Sequence, residues 1–302
     1  MQKLLLLTNN ITLPSPTTKI SLRGRDIHIK RDELLHYELS GNKFRKLYKL
    51  VLSPSSNYTK LISYGGIQSN AMLSMAFLAD EKGWVFDYYC KSIPLHVKQN
   101  PQGNYKKALD LGMNVYEIEH DMFQQSVSSL FLHVNPHEVL VPQGGADKIA
   151  QEGVKVLADE IKEYQKQHNL KELNIITPSG TGTTAYYLAC EMPTCKIITT
   201  AVVGDKEYLK TELSALGDIP ENLHIVETEK KHHFARPYRE YMDIYSELKE
   251  CGIEFDLIYA PKMWLSFLEN IDRFSGDFLY VHSGGLSGNE TMLSRYKFKG
   301  IL

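Results

Sequence analysis

Short apolar segments alternate with helical stretches along most of this chain, and this alternation constrains its fold most strongly. An apolar segment over 60–64 is followed by a glycine turn over 65–70 and then by helical spacing of apolar residues. The same order recurs at 173–177, at 178–184 and in a helix from about Ala185. Such repetition is typical of parallel βαβ units, so the pattern predicts an α/β protein.

Other segments fit the same architecture. Residues 20–30 alternate apolar and polar side chains around Gly24, which predicts an early antiparallel hairpin. Further strands are predicted at 84–89, 112–118, 195–203, 255–259 and 277–282, and further helices at 105–111 and 147–165. The length of 302 residues suggests about two domains.

Charge and hydropathy exclude several classes of function. The chain has 34 Lys and Arg against 36 Asp and Glu, and no segment concentrates the basic residues, so a nucleic-acid partner is not expected. The apolar run at 4–7 is shorter than the roughly 7 to 15 residues of a signal peptide. No stretch approaches the roughly 18 apolar residues of a membrane span. We therefore expect a cytoplasmic protein that acts on small molecules.

Metal sites are not expected either. Four cysteines are too few and too scattered for a disulfide framework, and they are predicted to be free thiols: Cys90, Cys190, Cys195 and Cys251. The adjacent pair His232-His233 follows Glu229-Lys230-Lys231 and indicates a solvated loop.

Strand-to-helix loops give the candidate site, because ligands of open α/β sheets bind at the carboxyl ends of the strands. The loops are 65–70, 178–184 and 283–288, and the segment 39–43 adds the amine of Lys43. The turn at 178–184 leads into a helix, so its N–H groups and the helix dipole favour an anion such as phosphate. It lacks both the lysine of a Walker loop and the spacing of a dinucleotide loop.

Each motif alone also has a purely structural explanation. The turn at 178–184 is equally compatible with an unliganded loop, and Ser69 or Asn70 with a simple helix cap. Lys43 is equally compatible with a solvated face shared with Arg45 and Lys46.

Together, however, the motifs occur in the order and spacing of a known family. They are Ser40-Gly41-Asn42-Lys43-Phe44-Arg45-Lys46-Leu47, Gly65-Gly66-Ile67-Gln68-Ser69-Asn70, Val141-Pro142-Gln143-Gly144-Gly145, the glycine and threonine turn, and His282-Ser283-Gly284-Gly285. The sequence resembles the pyridoxal-phosphate enzymes of the D-cysteine desulfhydrase and 1-aminocyclopropane-1-carboxylate (ACC) deaminase family over nearly its whole length.

This resemblance implies a tryptophan synthase β-like fold, the fold type II of pyridoxal-phosphate enzymes, with two domains built on open twisted sheets. A large cofactor-binding domain would comprise 1–45 and 146–302, and a smaller inserted α/β domain 46–145. The resemblance also implies a homodimer.

The family's functional residues carry over to matching positions. Lys43 corresponds to the lysine that forms a Schiff base with pyridoxal 5'-phosphate, and Asn70 to the residue that binds the phenolic oxygen. Gln68 and Ser69 would hold the substrate carboxylate, and Tyr259 or Ser69 would assist proton transfer. The remaining cofactor contacts would come from Ser179, Gly180, Thr181, Gly182 and Thr183 at the phosphate and from Ser283 near the pyridine ring.

Two departures bear on the reaction. Ala260 follows Tyr259 where deaminases carry an acid, and Ser283 stands where deaminases carry leucine. A neutral hydroxyl near the pyridine nitrogen favours expulsion of a thiolate over ring opening. The second family tyrosine is matched by Phe234, with Tyr238 four residues on.

The resulting hypothesis is β-elimination from D-cysteine or a related small amino acid, giving pyruvate, ammonia and sulfide. The alternatives are ACC ring opening, a pyridoxal-phosphate-binding protein with little turnover, and a nucleotide-binding α/β domain without the cofactor.

Overall fold

Two sheets organise the protein in the computed structural model, which describes residues 11–36, 38–39, 41–145 and 147–302. The apolar run at 4–7 and Ser40 of the lysine motif therefore lie outside the described residues. None of the helices in the described part of the chain is long and apolar enough to span a membrane.

The larger sheet has six strands in the order β1-β2-β10-β7-β8-β9. Its strands are β1 (Thr17–Leu22), β2 (Arg25–Lys30), β7 (Leu173–Ile176), β8 (Lys196–Thr199), β9 (Leu223–Ile225) and β10 (Asp277–Val281). β1 and β2 pair in antiparallel fashion, which confirms the predicted hairpin, and the other pairs are parallel.

The smaller sheet is parallel throughout, in the order β5-β4-β3-β6. Its strands are β3 (Lys60–Tyr64), β4 (Val85–Lys91), β5 (Met113–Ile118) and β6 (Glu138–Val141). The smaller sheet thus lies in sequence between the hairpin and the remaining strands of the larger one. The exact domain boundaries at 45 and 145 stay a prediction.

Helices connect the strands. They are α1 (Asn42–Leu52), α2 (Asn70–Lys82), α3 (Leu95–Gln99), α4 (Gly103–Asp110), α5 (Phe123–Leu130), α6 (Ala150–Gln167), α7 (Thr183–Glu191), α8 (Lys206–Ser214), α9 (Arg239–Glu250), α10 (Ala260–Asn270) and α11 (Asn289–Phe298). α1 packs on α6, and the apolar face of α1 also joins the core of the smaller sheet through Leu47, Leu50 and Val51. α1 therefore lies where the two halves of the fold meet.

Most predicted elements are confirmed, with shifts of a few residues. The helix predicted from 147 begins at Ala150, the helix predicted from about Ala185 begins at Thr183, and the strand predicted over 195–203 is the shorter β8. The sequence did not predict β6 or β9 as strands.

The segment 255–259, predicted as a strand, is a buried irregular loop, so that prediction is wrong. Side chains supply the hydrogen bonds that a neighbouring strand would have supplied. Leu257 donates its N–H to Asn289 Oδ1 at 2.8 Å, and the carbonyl oxygen of Phe255 accepts from Asn289 Nδ2 at 2.9 Å. The carboxylate of Asp256 accepts the backbone N–H groups of Ile258, Tyr259 and Ala260 and so starts α10.

Candidate active site

A cavity lies where the start of α1, the start of α2, the turn after β7 and the loop after β10 meet. Of the predicted site residues, it brings together Lys43, Ser69, Asn70, Gly180, Thr181, Tyr259 and Ser283. Lys46, Gln143, Val203 and Tyr208 complete much of its wall. The sequence-distant motifs therefore share one cavity.

Lys43 reaches this cavity from the first turn of α1. Gly41 precedes the helix with a φ of +62°, a backbone conformation that favours glycine. The Lys43 ammonium donates to Asn42 Oδ1 at 2.8 Å. Burial lowers the pKa of Lys43 to about 8, although the charge of Asp256 opposes this shift. At pH 7 roughly a tenth of the Lys43 amine is therefore neutral, which is the nucleophilic form of an amine.

Lys46 is a second buried amine in the same wall, and the sequence assigned it no role. Its Nζ donates to the carbonyl oxygen of Gly144 at 2.9 Å. Burial, reinforced by the charge of Lys43, lowers the pKa of Lys46 well below its usual range. The solvated-face explanation of Lys43, Arg45 and Lys46 is wrong, because Arg45 and Lys46 are buried. The helical spacing of Lys43 and Lys46 with Leu47 and Leu50 could have indicated this.

The turn between β7 and α7 forms the opposite wall. Gly180 and Thr181 line the cavity, whereas the Ser179 hydroxyl pairs with Thr199 Oγ1 at 2.7 Å behind it. Thr183 begins α7, and its hydroxyl lies 2.9 Å from that of Thr181. The turn thus leads into the N-terminus of a helix, where backbone N–H groups favour an anion.

Gly182 makes this turn possible. It has a φ of +75°, and a Cβ there would lie 2.6 Å from Leu213 Cδ2. Only glycine fits both the conformation and the space.

The N-terminus of α2 contributes a second set of polar groups. Ser69 Oγ accepts the N–H groups of Ala71 and Met72 at 3.2 and 3.4 Å, so Ser69 is indeed a helix cap while also lining the cavity. Asn70 Oδ1 accepts a hydrogen bond from Asn104 Nδ2 at 2.7 Å. Gln68 lines an adjoining cavity rather than this one.

Tyr259 stands between the two cavities. Its N–H donates to Asp256 at 2.5 Å, which fixes its backbone at the start of α10. Burial and the charge of Asp256 raise the pKa of the Tyr259 hydroxyl to about 12, so the phenol stays protonated and can donate a proton or a hydrogen bond.

The structure distinguishes Phe234 from Tyr238. The Phe234 ring lies edge-on to the Tyr259 ring, with 5.9 Å between centroids, and lines the adjoining cavity. The hydroxyl of Tyr238 instead accepts the N–H of His233 at 2.9 Å. Phe234 therefore occupies the place next to Tyr259.

A buried histidine supports the loop that carries Ser283. Gly284 donates its N–H to His282 Nδ1 at 3.1 Å, so the ring proton lies on Nε2, which faces the carbonyl oxygen of Glu254 at 2.8 Å. Burial lowers the pKa of His282 to about 4, although the bond to Glu254 opposes the shift. The imidazole is therefore neutral and orients the loop.

The described residues hold no group of three or more His, Cys, Asp and Glu side chains that could bind a metal ion. The four cysteines are free thiols, as predicted. The solvated-loop prediction is wrong for His232, which is buried with its Nε2 3.0 Å from Glu240 Oε1, whereas His233 is exposed.

Known proteins resemble this chain along most of its length. A putative ACC deaminase of Thermotoga maritima is 24% identical over 88% of this chain and 90% of its own. A D-cysteine desulfhydrase of Yersinia enterocolitica is 25% identical over 87% of each chain. No protein-family model matches the chain.

The fold is shared as well. The crystal structure of an ACC deaminase homologue superimposes with a TM-score of 0.70 and 21% identity over 98% of this chain and 99% of its own. The fold type II architecture expected from the sequence is thus confirmed. The curated relatives confirm the resemblance to the D-cysteine desulfhydrase and ACC deaminase family.

Proposed function

We propose that this protein uses pyridoxal 5'-phosphate to eliminate the β-thiol of D-cysteine or a related small amino acid, releasing pyruvate, ammonia and sulfide. The observation that carries this proposal is the single cavity that joins the Lys43 amine to the turn at Gly180 and Thr181. An amine and an anion-binding turn in one cavity match an aldehyde that bears a phosphate.

The residues present fit that cofactor. Two lysines line the cavity, and its described lining contains no carboxylate, so a bound phosphate would meet amine donors without repulsion from an acidic side chain. The buried hydroxyl of Thr184, in the first turn of α7, has no hydrogen-bond partner. A Cβ on Gly180 would contact the Tyr259 ring at 3.4 Å, so the glycine leaves the space between the turn and that ring free for a ligand. The phosphate would be held by Thr181, the N-terminus of α7 and Lys46.

Lys43 has two roles in this proposal. When bound, pyridoxal phosphate withdraws electrons from the α-carbon of an amino acid. The lowered pKa of Lys43 would leave its amine able to hold the aldehyde of the cofactor and to accept the α-proton of the substrate. Asn70 and Ser283 would hydrogen-bond the edges of the ring.

The substrate would lie between α2 and Tyr259. Ser69 and the N–H groups at the start of α2 would bind its carboxylate, because helix N-termini favour anions. Gln68 would support this segment through its bonds to residues 102 and 104. The protonated Tyr259 hydroxyl would donate a hydrogen bond to the leaving thiolate.

The reaction type follows from the two departures noted in the sequence. Ser283 lines the cavity, whereas Ala260 is buried at the start of α10. A neutral hydroxyl leaves the pyridine ring a weaker electron acceptor, which is sufficient for a good leaving group such as a thiolate. ACC ring opening requires a stronger electron acceptor.

Cofactor capture followed by product analysis tests the proposal. The purified protein is loaded with pyridoxal phosphate, reduced with borohydride and digested, and we expect the modified peptide to contain Lys43. Both enantiomers of cysteine are then assayed for pyruvate and sulfide, and ACC for 2-oxobutyrate. Formation of 2-oxobutyrate without pyruvate would indicate ACC deaminase activity. Visible absorbance without any product would indicate a protein that binds pyridoxal phosphate with little turnover. No absorbance would contradict the cofactor itself.

Matched lysine variants locate the chemistry. Lys43→Ala is expected to lose borohydride labelling and to lower turnover by at least about 10³-fold, since proton transfer alone contributes about 10² to 10⁴. Lys49→Ala changes an exposed lysine of the same helix and should retain both the borohydride labelling and the turnover. Full activity of Lys43→Ala would contradict the assignment. We also propose a homodimer, which light scattering on the purified protein tests.

A further inference from the structure

A second cavity opens beside the one that contains Lys43. The two share Ser69, Asn70, Gln143, Val203 and Tyr259 as lining residues, so they are continuous. The second cavity has a volume of about 330 Å³. The β-thiol of cysteine needs only a small part of that space.

Most of the exposed surface of this second cavity is apolar. Its lining includes Phe234, Ala235, Ile258 and Met292, together with the shared Val203, and Arg295 is a charged residue of the same lining. Ala235 has a φ of +53°, a conformation that costs a non-glycine residue free energy. Arg295 Nη1 donates to the carbonyl oxygen of Ala235 at 2.8 Å and thereby holds the loop that presents Phe234.

Three polar residues of the lining, Gln68, Asn70 and Asn104, are already engaged with one another. Asn104 Nδ2 donates to the carbonyl oxygen of Gln68 at 3.1 Å and to Asn70 Oδ1 at 2.7 Å. The Gln68 side chain donates to the carbonyl oxygen of Gln102 and accepts the N–H of Asn104. A ligand in this cavity therefore meets mainly apolar surface, and a hydrogen-bonding substituent gains little there.

We propose that the second cavity binds the sulfur substituent of an S-alkyl or S-aryl cysteine, so that the preferred substrates are cysteine thioethers with an apolar leaving group. This inference rests on the proposed function, which it narrows to a substrate class. A cavity of about 150 Å³ lined by apolar side chains is sufficient to bind benzene. The volume of about 330 Å³ therefore accommodates a benzyl group.

The reaction balances without an oxidant or reductant. The α-proton leaves the substrate, the Cβ–S bond breaks with its electron pair going to sulfur, and the thiolate takes up a proton. Water then replaces the amino group. One thioether amino acid and one water yield one thiol, one pyruvate and one ammonium ion.

Steady-state kinetics of the holoenzyme with a homologous series tests this proposal. The compounds are the D- and L-forms of cysteine and its S-methyl, S-ethyl, S-propyl and S-benzyl derivatives, with pyruvate as the product measured. We expect KM for the reactive enantiomer to fall by about fourfold per added methylene, the gain from burying one methylene. S-Benzylcysteine should have the lowest KM, at least about sixtyfold below that of cysteine, because three added methylenes already give that factor.

Two variants on one face of α11 assign the effect to this cavity. Thr291 is exposed at its edge, and Ser294, one turn on, is exposed outside it. Thr291→Trp should raise KM for S-benzylcysteine about tenfold more than it raises KM for cysteine. Ser294→Trp should change neither. Equal effects of the two variants would overturn the assignment.

The remaining outcomes separate this inference from the proposed function. Pyruvate from cysteine, with a KM for S-benzylcysteine equal to or above that of cysteine, would overturn the inference alone. Pyruvate from none of the compounds would overturn both.

Discussion

Gly41 lies directly against the backbone of Ser283. A Cβ on Gly41 would lie 2.0 Å from the Ser283 carbonyl oxygen, and the same oxygen accepts the N–H of Asn42 at 3.1 Å. This contact joins the start of α1 to the loop after β10, from opposite ends of the sequence. The position of the Lys43 amine therefore depends on a glycine two residues before it.

Gly41→Ala should lower the free energy of unfolding by about 2 to 4 kcal/mol, since overpacking and a positive φ each cost about 1 to 3 kcal/mol. The variant should also bind pyridoxal phosphate more weakly, because Lys43 shifts with the helix start. Urea unfolding and visible absorbance measure the two effects. Gly83→Ala is the control, since Gly83 has a φ of +71° but nothing within 4 Å of a Cβ. Equal losses in the two variants would contradict the contact argument.

Arg45 anchors α1 through a buried network of charges. Its guanidinium is completely buried and donates to both carboxylate oxygens of Asp32 at 2.8 and 3.0 Å. It also donates to Glu160 on α6 at 2.8 Å, and Glu160 pairs with Lys30 on β2 at 2.6 Å. The network thus ties α1 to α6 and to the hairpin.

Arg45→Met should destabilise the protein by about 3 to 5 kcal/mol, because it leaves the buried carboxylate of Asp32 without its charged partner and removes one of the two cations at Glu160. Lys106→Met is the matched control, since Lys106 pairs with Asp110 at an exposed position and such pairs contribute about 0.3 to 0.5 kcal/mol. Chemical denaturation of both variants measures the difference. A loss below about 1 kcal/mol for Arg45→Met would show that the buried carboxylates are readily rehydrated.

Glu33 gives stability a specific pH dependence. Burial raises its pKa to about 7, although pairing with Arg31 opposes the shift. Its Oε2 has no hydrogen-bond partner and lies 3.6 Å from His282 Nδ1, which already accepts an N–H. Between about pH 4.5 and 7 the folded state holds one more proton at this site than the unfolded state, so stability falls as pH rises.

Glu33→Gln resembles the protonated carboxyl and should remove that fall. Relative to the variant, the natural protein should lose about 3 kcal/mol of unfolding free energy between pH 5 and pH 8. Urea titrations at several pH values give the comparison, in which the contribution of His282 largely cancels. A constant difference across that range would show that Glu33 is ionised throughout.

Much of the fold could be predicted because its signals are local. The hairpin around Gly24 and the strand, turn and helix at 60–82 follow from residue alternation and glycine turns. The segment 255–259 has the same apolar character but receives its hydrogen bonds from Asn289, a partner far away in sequence. Local pattern contains no information about such a partner.

The candidate site was likewise only partly predictable from the sequence. Lys43 and the turn at Gly180 were found through motifs, and the structure places both in one cavity. Lys46 was missed because a lysine usually signals solvent, although its helical spacing with Leu47 and Leu50 places it on the buried face of α1. The second cavity was missed because Phe234 and Met292 come from separate segments.

Asn289 therefore deserves a direct test, since one side chain replaces a strand partner for the loop that carries Tyr259. Asn289 is buried, and besides its two bonds to the loop backbone it donates to Glu254 Oε1 at 3.2 Å. Asn289→Ala leaves a buried N–H and a buried carbonyl oxygen unsatisfied, at about 1 to 3 kcal/mol each. We expect a total loss of about 2 to 4 kcal/mol by urea unfolding.

The accompanying loss of activity distinguishes a positional effect from general destabilisation. If the loop positions Tyr259, turnover of Asn289→Ala should fall at temperatures where circular dichroism shows it fully folded. Asn135→Ala removes an exposed asparagine bonded to Glu138 and should change stability by less than about 0.5 kcal/mol. Normal turnover in folded Asn289→Ala would mean that Asp256, through its bonds to the start of α10, holds Tyr259 without help.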